Sequence, residues 1–436
     1  MTPTQPVAAR RWNGFEELHA LQRERIGTAL CQAAHSPFYR DRFRLRQGGT
    51  MPGSLADVPV TTKDDLRAAY PFGMLAVPRE RVATYHESSG SSGRATSSFC
   101  TEDDWVDIGE RFNRMPAGIG PADTLLVRIP YAMVLAGHIG HFGARARGAT
   151  VVPADSRSFA TPYGRVVRLL HDLGVTLTWS NPTEPLIWAA AARAAGLDPR
   201  TDFPRLRALL VCGEPLSEAR RERLGELWDA AVIEDYGATE VGPLASACRH
   251  GRRHFYADRV VPEVLAPATG EITPDGTGDL VITPLYREAM PLLRYNLEDT
   301  VRLSHEPCPC GSWLPVIRLT GRATQTFDVA GRQVSQLQLE ELVFRLPAAY
   351  GVLFWRARAE ARRLVAEVEV ADAYAADACA ELAAAVRARL GVDCAVAPVP
   401  PGTLMPDEVL SAPGDVLKPR SLFGPEEDWS RGLLYY

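Results

Sequence analysis

Between Thr124 and Glu234 short apolar runs alternate with amphipathic stretches, and this alternation constrains the fold more than any other feature. Thr124–Ile129, Thr150–Pro153, Leu177–Trp179, Leu206–Val211 and Ala231–Glu234 have the length and composition of strands. Ile139–Arg147, Arg165–Leu173, Pro185–Ala195 and Ser217–Trp228, lying between them, repeat their apolar residues at helical spacing. Parallel strands need long crossovers and helices supply them, so the pattern predicts an α/β body of mainly parallel strands joined by helical crossovers. After about Val260 the strand-like runs Val261–Ala266, Gly278–Thr283, Thr300–Leu303 and Val316–Leu319 are separated by Gly/Pro turns, which predicts a more antiparallel β subdomain.

From Thr326 a compact α+β tail is expected. It has a strand pair near Gly351–Arg358 and Arg363–Val370, an alanine-rich helix from Asp372 to about Leu390, and a strand Asp393–Ala397. The joint falls at Gly321-Arg322, giving a large N-terminal domain over 1–321 and a small, mobile C-terminal lid over 322–436. Upstream, Phe15 to about Arg46 reads as helical. Thr61 or Thr62 caps a second helix whose first turn carries Lys63, Asp64 and Asp65, which makes Lys63 a surface residue.

Bulk properties exclude several classes. A net charge of −5 gives no support to a nucleic-acid or acidic-membrane partner. No apolar run reaches the length of a membrane span, and the first residues lack a signal-peptide core. With eight cysteines in 436 residues the expectation is a cytoplasmic protein with free thiols or metal ligands. Monomer and homodimer both remain open.

Four stretches carry chemistry. Ser88, Ser89, Gly90, Ser91, Ser92, Gly93 and Arg94, followed by Thr96, pack hydroxyls, glycines and a cation into one segment. Such a loop is either a linker or a polyphosphate clamp, since glycine admits backbone N–H groups to anionic oxygens and arginine adds fixed charge. It lacks Walker A spacing. Tyr236-Gly237-Ala238-Thr239-Glu240 follows a buried-looking strand; it is either a tight turn or a ligand loop whose Glu240 could hold Mg²⁺. Arg294-Tyr295-Asn296-Leu297-Glu298-Asp299 offers Asp299 either to a ribose diol or to an acidic turn. Cys248, His254, Cys308 and Cys310 could close a tetrahedral Cys₃His zinc site, with His250 and His305 as competing ligands and buried thiols as the alternative. No G-x-S-x-G, H-E-x-x-H or G-x-G-x-x-G occurs.

Taken in order, these stretches resemble the phenylacetate–CoA ligase branch of the adenylate-forming superfamily of acyl-CoA ligases and adenylation domains, from about Ser36 to about Glu341. Ser36-Pro37-Phe38-Tyr39 resembles its early S-P-F-Y. Pro59 to Gly73 resembles P-V-T-T-K-x-D-L…Y-P-F-G, and His86 with Ser88 to Thr96 resembles H-x-S-S-G-T-T-G-K-P-T. Tyr236 to Glu240 resembles Y-G-x-T-E, Arg294 to Asp299 resembles R-Y-x-x-x-D, and Gly321-Arg322 resembles the hinge G-R.

The resemblance implies ATP-dependent adenylation of an aryl or arylacetic-type carboxylic acid, then transfer to a thiol, by default that of CoA. It implies that Ser88 to Thr96 hold pyrophosphate, Thr239 the α-phosphate, Glu240 the Mg²⁺, Asp299 the ribose and Arg322 the ribose or phosphate. Glu214, Pro215, Asp235 and Tyr236 would line the adenine side. Tyr131, Ala132, Gly137, His138 and the Gly237-Ala238 backbone would line the acid pocket, with His141 a packing residue. Members of the branch with a Cys/His zinc site favour structural zinc at Cys248, His254, Cys308 and Cys310.

Three departures bear on the second half-reaction. The hinge reads Gly321-Arg322-Ala323-Thr324-Gln325 where the branch has G-R-x-D-D, and the loop lysine is Arg94. The C-terminal S-x-G-K resembles Ala412-Pro413-Gly414-Asp415, which leaves Lys418 either as the catalytic substitute or as a tail lysine. The alternatives are therefore an adenylation enzyme of specialised metabolism that loads a carrier-protein phosphopantetheine thiol or an amine, and a non-catalytic nucleotide-binding descendant.

Overall fold

The computed structural model describes residues 13–88, 95–156, 158, 160–322 and 326–411, with only the backbone of Gly321 and Arg322. Ser89 to Arg94, the hinge residues Ala323 to Gln325, and Ala412 to Tyr436 with Lys418 lie outside the described residues.

The expected crossovers form. Strands Thr124–Arg128, Thr150–Pro153, Leu177–Ser180, Ala208–Val211 and Ala231–Ala238 pair in parallel. Helices Ala136–Ala146, Tyr163–Asp172, Thr183–Ala194 and Glu218–Trp228 connect them in turn. Central strands Leu177–Ser180 and Ala208–Val211 are buried at every position, as sheets covered on both faces require. Helix Ala136–Ala146 approaches so closely that a Cβ on Gly140 would lie 2.5 Å from Trp179 Cδ1.

The β subdomain is continuous with this sheet. Strand Ala231–Ala238 pairs in parallel with Ala208–Val211 on one side and antiparallel with Gly242–Ala247 on the other. From there Arg253–Phe255, Val316–Arg322, Tyr295–Ser304, Gly276–Pro284, Val260–Leu265 and Ile272–Thr273 extend one twelve-stranded sheet. Gly242–Ala247 and Arg253–Phe255 had no sequence signal, because small residues such as Gly242, Ala245, Ser246 and Ala247 do not read as a strand.

The single N-terminal helix expected to about Arg46 is two. Phe15–Ala33 ends, and Ser36 caps Pro37–Arg42 by accepting from Tyr39 N at 3.2 Å, with Pro37 at its first turn. Helix Lys63–Ala68 begins as expected, with Thr62 and Asp65 in a reciprocal cap and Lys63 Nζ 3.1 Å from Glu298. After the sheet, hairpin Thr326–Val329/Arg332–Ser335 leads to helix Gln336–Phe344, which propensity left unassigned. Strands Trp355–Ala359, Arg363–Glu369 and Asp393–Val399 then form a sheet under helix Asp372–Leu390. Val368, Ala378, Leu382 and Val386 close a core of their own there.

Because the Gly140–Trp179 contact leaves no room for a side chain, Gly140→Val should cost about 1–3 kcal/mol. A lowered urea midpoint at unchanged slope would report it.

Candidate active site

Strand Ala231–Ala238 reaches four residues beyond its expected end, so Tyr236, Gly237 and Ala238 sit on the strand and only Thr239 to Val241 form the turn. That turn is tight. Gly242 has φ +78°, and a Cβ on Gly237 would lie 2.6 Å from the Gly242 carbonyl oxygen. Glu240 is thereby held in the interior, 5% exposed. Its Oε1 accepts from Thr96 Oγ1 at 2.7 Å and from Tyr295 OH at 3.0 Å. No hydrogen-bond donor reaches Oε2 among the described residues, so that oxygen is available to a hard cation, and the donor set fits Mg²⁺.

Thr96 also closes the Ser/Gly loop. Ser88 N donates to Thr96 O and Thr96 N donates to Ser88 Oγ, both at 3.0 Å. The flanking strands Thr84–Glu87 and Ser97–Cys100 pair antiparallel. The loop's two ends are thus fixed beside Glu240.

Strand alternation sorts the next residues. Tyr236 OH donates to Asp299 Oδ2 at 2.7 Å, and Arg253 Nη2 lies 2.7 Å from Glu234 Oε2. Asp299 and Arg322 are Cα partners across adjacent strands. Glu214, Pro215, Asp235, Tyr236, Gly237 and Asp299 border one cavity, whose other wall is Ser335, Gln336 and Leu337. Alternation turns the Asp235 side chain to the face opposite Tyr236; burial raises its pKa well above the ordinary carboxyl value, and its Oδ1 has no hydrogen-bond partner among the described residues. Sequence reasoning missed Tyr295, although it lies inside the Arg294–Asp299 segment, and also Thr183, whose hydroxyl donates to Glu214 Oε2 at 2.6 Å. Only the fold brings Thr183 near Glu214.

Of the residues expected to line the acid pocket, Tyr131, Gly137 and His138 meet at the start of helix Ala136–Ala146, whereas Gly237 and Ala238 lie on strand Ala231–Ala238. His138 Nε2 lies 3.0 Å from the Tyr131 carbonyl, and the two rings meet edge to face at 5.2 Å. Gly137 is required there, since a Cβ would come within 2.8 Å of the Pro130 carbonyl oxygen. Ala132 is exposed and Ala238 half-buried. His141 Nδ1 is 3.3 Å from Tyr131 OH, holding that ring from behind. Sequence spacing could not show that His86 and Trp105 join this group, His86 lying 5.3 Å from the His138 ring and 5.8 Å from that of Trp105. Burial first, then the neighbouring His138, and the nearby Arg287 hold His86 down to about 4.

Around strand Arg253–Phe255, two strands from Ala231–Ala238, the ligand atoms of Cys248, His254, Cys308 and Cys310 lie within 4.8 Å of one another. Cys248 Sγ and Cys308 Sγ are 3.9 Å apart, near the roughly 3.8 Å that two 2.3 Å Zn–S bonds subtend at a tetrahedral ion and far too long for a disulfide. His254 Nδ1 lies 2.9 Å from the Leu314 carbonyl, an acceptor, so Nδ1 carries the proton and Nε2, 3.2 Å from Cys310 Sγ, keeps its lone pair for a metal. The set fits zinc. His250 and His305, the competing ligands, are outside it.

The pattern of the AMP-binding enzymes matches residues 77–283. The chain is 33% identical over 347 residues to a phenylacetate-coenzyme A ligase of Aromatoleum evansii, covering 76% of each protein. It is 34% identical to that of Thermus thermophilus with the same coverage, and 31% identical to that of Escherichia coli over 76% of this chain and 77% of the relative. Among solved structures, a 2-hydroxyisobutyryl-CoA ligase in the postadenylation state superposes with a TM-score of 0.81 at 23% identity, over 93% of this chain and 92% of that one. The same ligase with CoA in the thioesterification state gives 0.66 at 26% identity, over 92% and 91%. Among the described residues no helix is long and apolar enough to cross a membrane.

Because folding holds His86 neutral, the unfolded chain binds more protons between about pH 6.5 and pH 4, and stability falls as pH drops through that window. Urea midpoints at pH 7, 5.5 and 4.5 should therefore decline less steeply in His86→Gln than in the parent.

Proposed function

This chain belongs to the phenylacetate–CoA ligase-like AMP-binding enzymes, the AMP-forming acid–thiol ligases, and on that premise we propose that it activates an aryl or arylacetic-type carboxylic acid and passes the acyl group to CoA. The chief support is that Glu214 and Pro215, Asp235 and Tyr236, and Asp299, from three separate stretches of sequence, border one cavity. The named substrate of the curated relatives supports the acid class.

In the first half-reaction a substrate carboxylate oxygen bonds to the α-phosphorus of ATP as the bond to pyrophosphate breaks. Tyr236 and Asp299 hold the ribose, with Arg322 beside it, and Glu214-Pro215 and the Asp235-Tyr236 backbone take the adenine. The Thr239 hydroxyl donates to the α-phosphate, and the Ser88–Thr96 loop receives the pyrophosphate. Glu240, steadied by Thr96 and Tyr295, would hold Mg²⁺, which when bound neutralises phosphate charge. Positioning and charge complementarity are what such transfer requires.

Tyr131, Ala132, Gly137, His138, Gly237 and Ala238 shape the acid site, to which the aromatic faces of Tyr131 and His138 give affinity for a ring. In the second half-reaction the thiol sulfur bonds to the acyl carbonyl carbon and AMP leaves. Lys418, in the C-terminal segment beyond position 411, is assigned the lysine role that Asp415 cannot fill. The lid spans 322–436, and the cysteine/histidine set takes zinc as a structural clamp.

Acid-dependent pyrophosphate release across a panel of aryl, arylacetic and short aliphatic acids, with CoA, a holo-carrier protein or amines as acceptors, tests the assignment. Arylacetic acids with CoA should give the highest kcat/KM. If none of the acids elicits pyrophosphate release, adenylation is rejected, and preference for a carrier or amine would move the acceptor to the alternative. Glu240→Gln should lower kcat for pyrophosphate release about 10²–10³-fold.

Metal analysis of purified chain should give about one zinc, lost in Cys310→Ser together with thermal stability. A zinc-free chain of unaltered melting temperature would remove the clamp.

A further inference from the structure

Helix Gln336–Phe344 is seated on the N-terminus of helix Glu218–Trp228 by contacts that run back to the cavity. Glu340, 1% exposed, accepts from Ser217 N at 2.8 Å and from Arg220 Nη1 at 3.0 Å. Glu341 Oε2 accepts from Ala219 N at 2.9 Å, and Arg223 Nη2 donates to Leu346 O at 2.6 Å. On its other side Arg220 Nη2 donates to Thr183 Oγ1 at 2.7 Å and lies 3.7 Å from Glu214 Oε2, the carboxylate bordering the cavity. Gln336 and Leu337, at the start of the seated helix, form the cavity's opposite wall.

We propose that Arg220 is a positioning residue through which filling of the nucleotide cavity and seating of helix Gln336–Phe344 stabilise one another. This rests on the reading of that cavity as the AMP site. One buried guanidinium is shared by two carboxylates. With the helix seated, Glu340 takes one edge of Arg220, and Glu214 keeps its closer bond to Thr183 and faces the cavity. With the helix lifted, Arg220 loses its nearest counter-ion, and its remaining carboxylate is Glu214. Its charge then turns to Glu214, already 3.7 Å away, and draws that carboxylate from the adenine side. Seating therefore prepares the cavity, and by reciprocity an occupied cavity holds the helix down.

The test uses the full chain with AMP as probe, following affinity by calorimetry and hydrogen exchange in peptides spanning residues 215–221 and 334–344. AMP should slow exchange at the Ser217 and Ala219 amides in the parent. Glu340→Gln touches no nucleotide in this scheme; it should abolish that slowing and weaken AMP about five- to thirtyfold. Arg220→Lys, which keeps the charge without the two-sided fork, should fall between. Glu341→Gln, which keeps the Arg220 network, should weaken AMP less than about threefold. A thermal melt of each variant confirms folding, and Arg220→Lys carries the test if Glu340→Gln unfolds. Equal AMP affinity in parent, Glu340→Gln and Arg220→Lys, or exchange unmoved by AMP, would overturn the coupling while leaving the AMP site intact. An AMP that fails to bind the parent would remove the site reading and the coupling with it.

Discussion

One strand, Ala231–Ala238, accepts a parallel neighbour on one edge and an antiparallel neighbour on the other, and the rest of the molecule is arranged by that reversal. A parallel partner must arrive by a crossover helix, whereas an antiparallel one returns through a short turn. The turn Thr239–Val241 is that return. Gly237 and Gly242 permit it because a side chain on either would meet backbone or require a left-handed residue. Glu240 is left at the seam between the two halves of the sheet, where Thr96 from the hairpin and Tyr295 from the antiparallel half converge on one carboxylate oxygen.

The same seam sorts side chains by parity. Tyr236 and Arg253 face the cavity, while Asp235 and His254, each adjacent in sequence to one of them, face the opposite side. A short three-residue strand thus serves the cavity through Arg253 and the cysteine cluster through His254. A slip of one residue in register would exchange the two. Cys248, Cys308 and Cys310, from loops flanking that strand, bring their sulfurs to the His254 side of it.

The small C-terminal domain adds a second kind of constraint. Its first helix brings carboxylates to backbone amides at a helix N-terminus, where partial positive charge favours them. These contacts join segments more than a hundred residues apart and involve glutamates and arginines that, in sequence, read as ordinary surface charge.

Hydrophobic periodicity alone determined the crossover body, because strand and helix periods differ enough to be read locally. Helix Asp372–Leu390 and strand Thr150–Pro153 fall where the pattern put them. The ordered motifs likewise pointed to the ligase family and singled out Tyr236, Thr239, Glu240 and Asp299 as candidates, since residue type and order survive without coordinates. Tertiary structure alone decided what those residues touch. That Tyr295 steadies Glu240, that His86 and Trp105 close on His138, and that Arg220 joins Glu340 to Glu214 follow from pairings between distant segments. Such pairings are set by register, by two tight glycine positions and by burial of charge. No local window of sequence contains both partners, so no local property could have announced them.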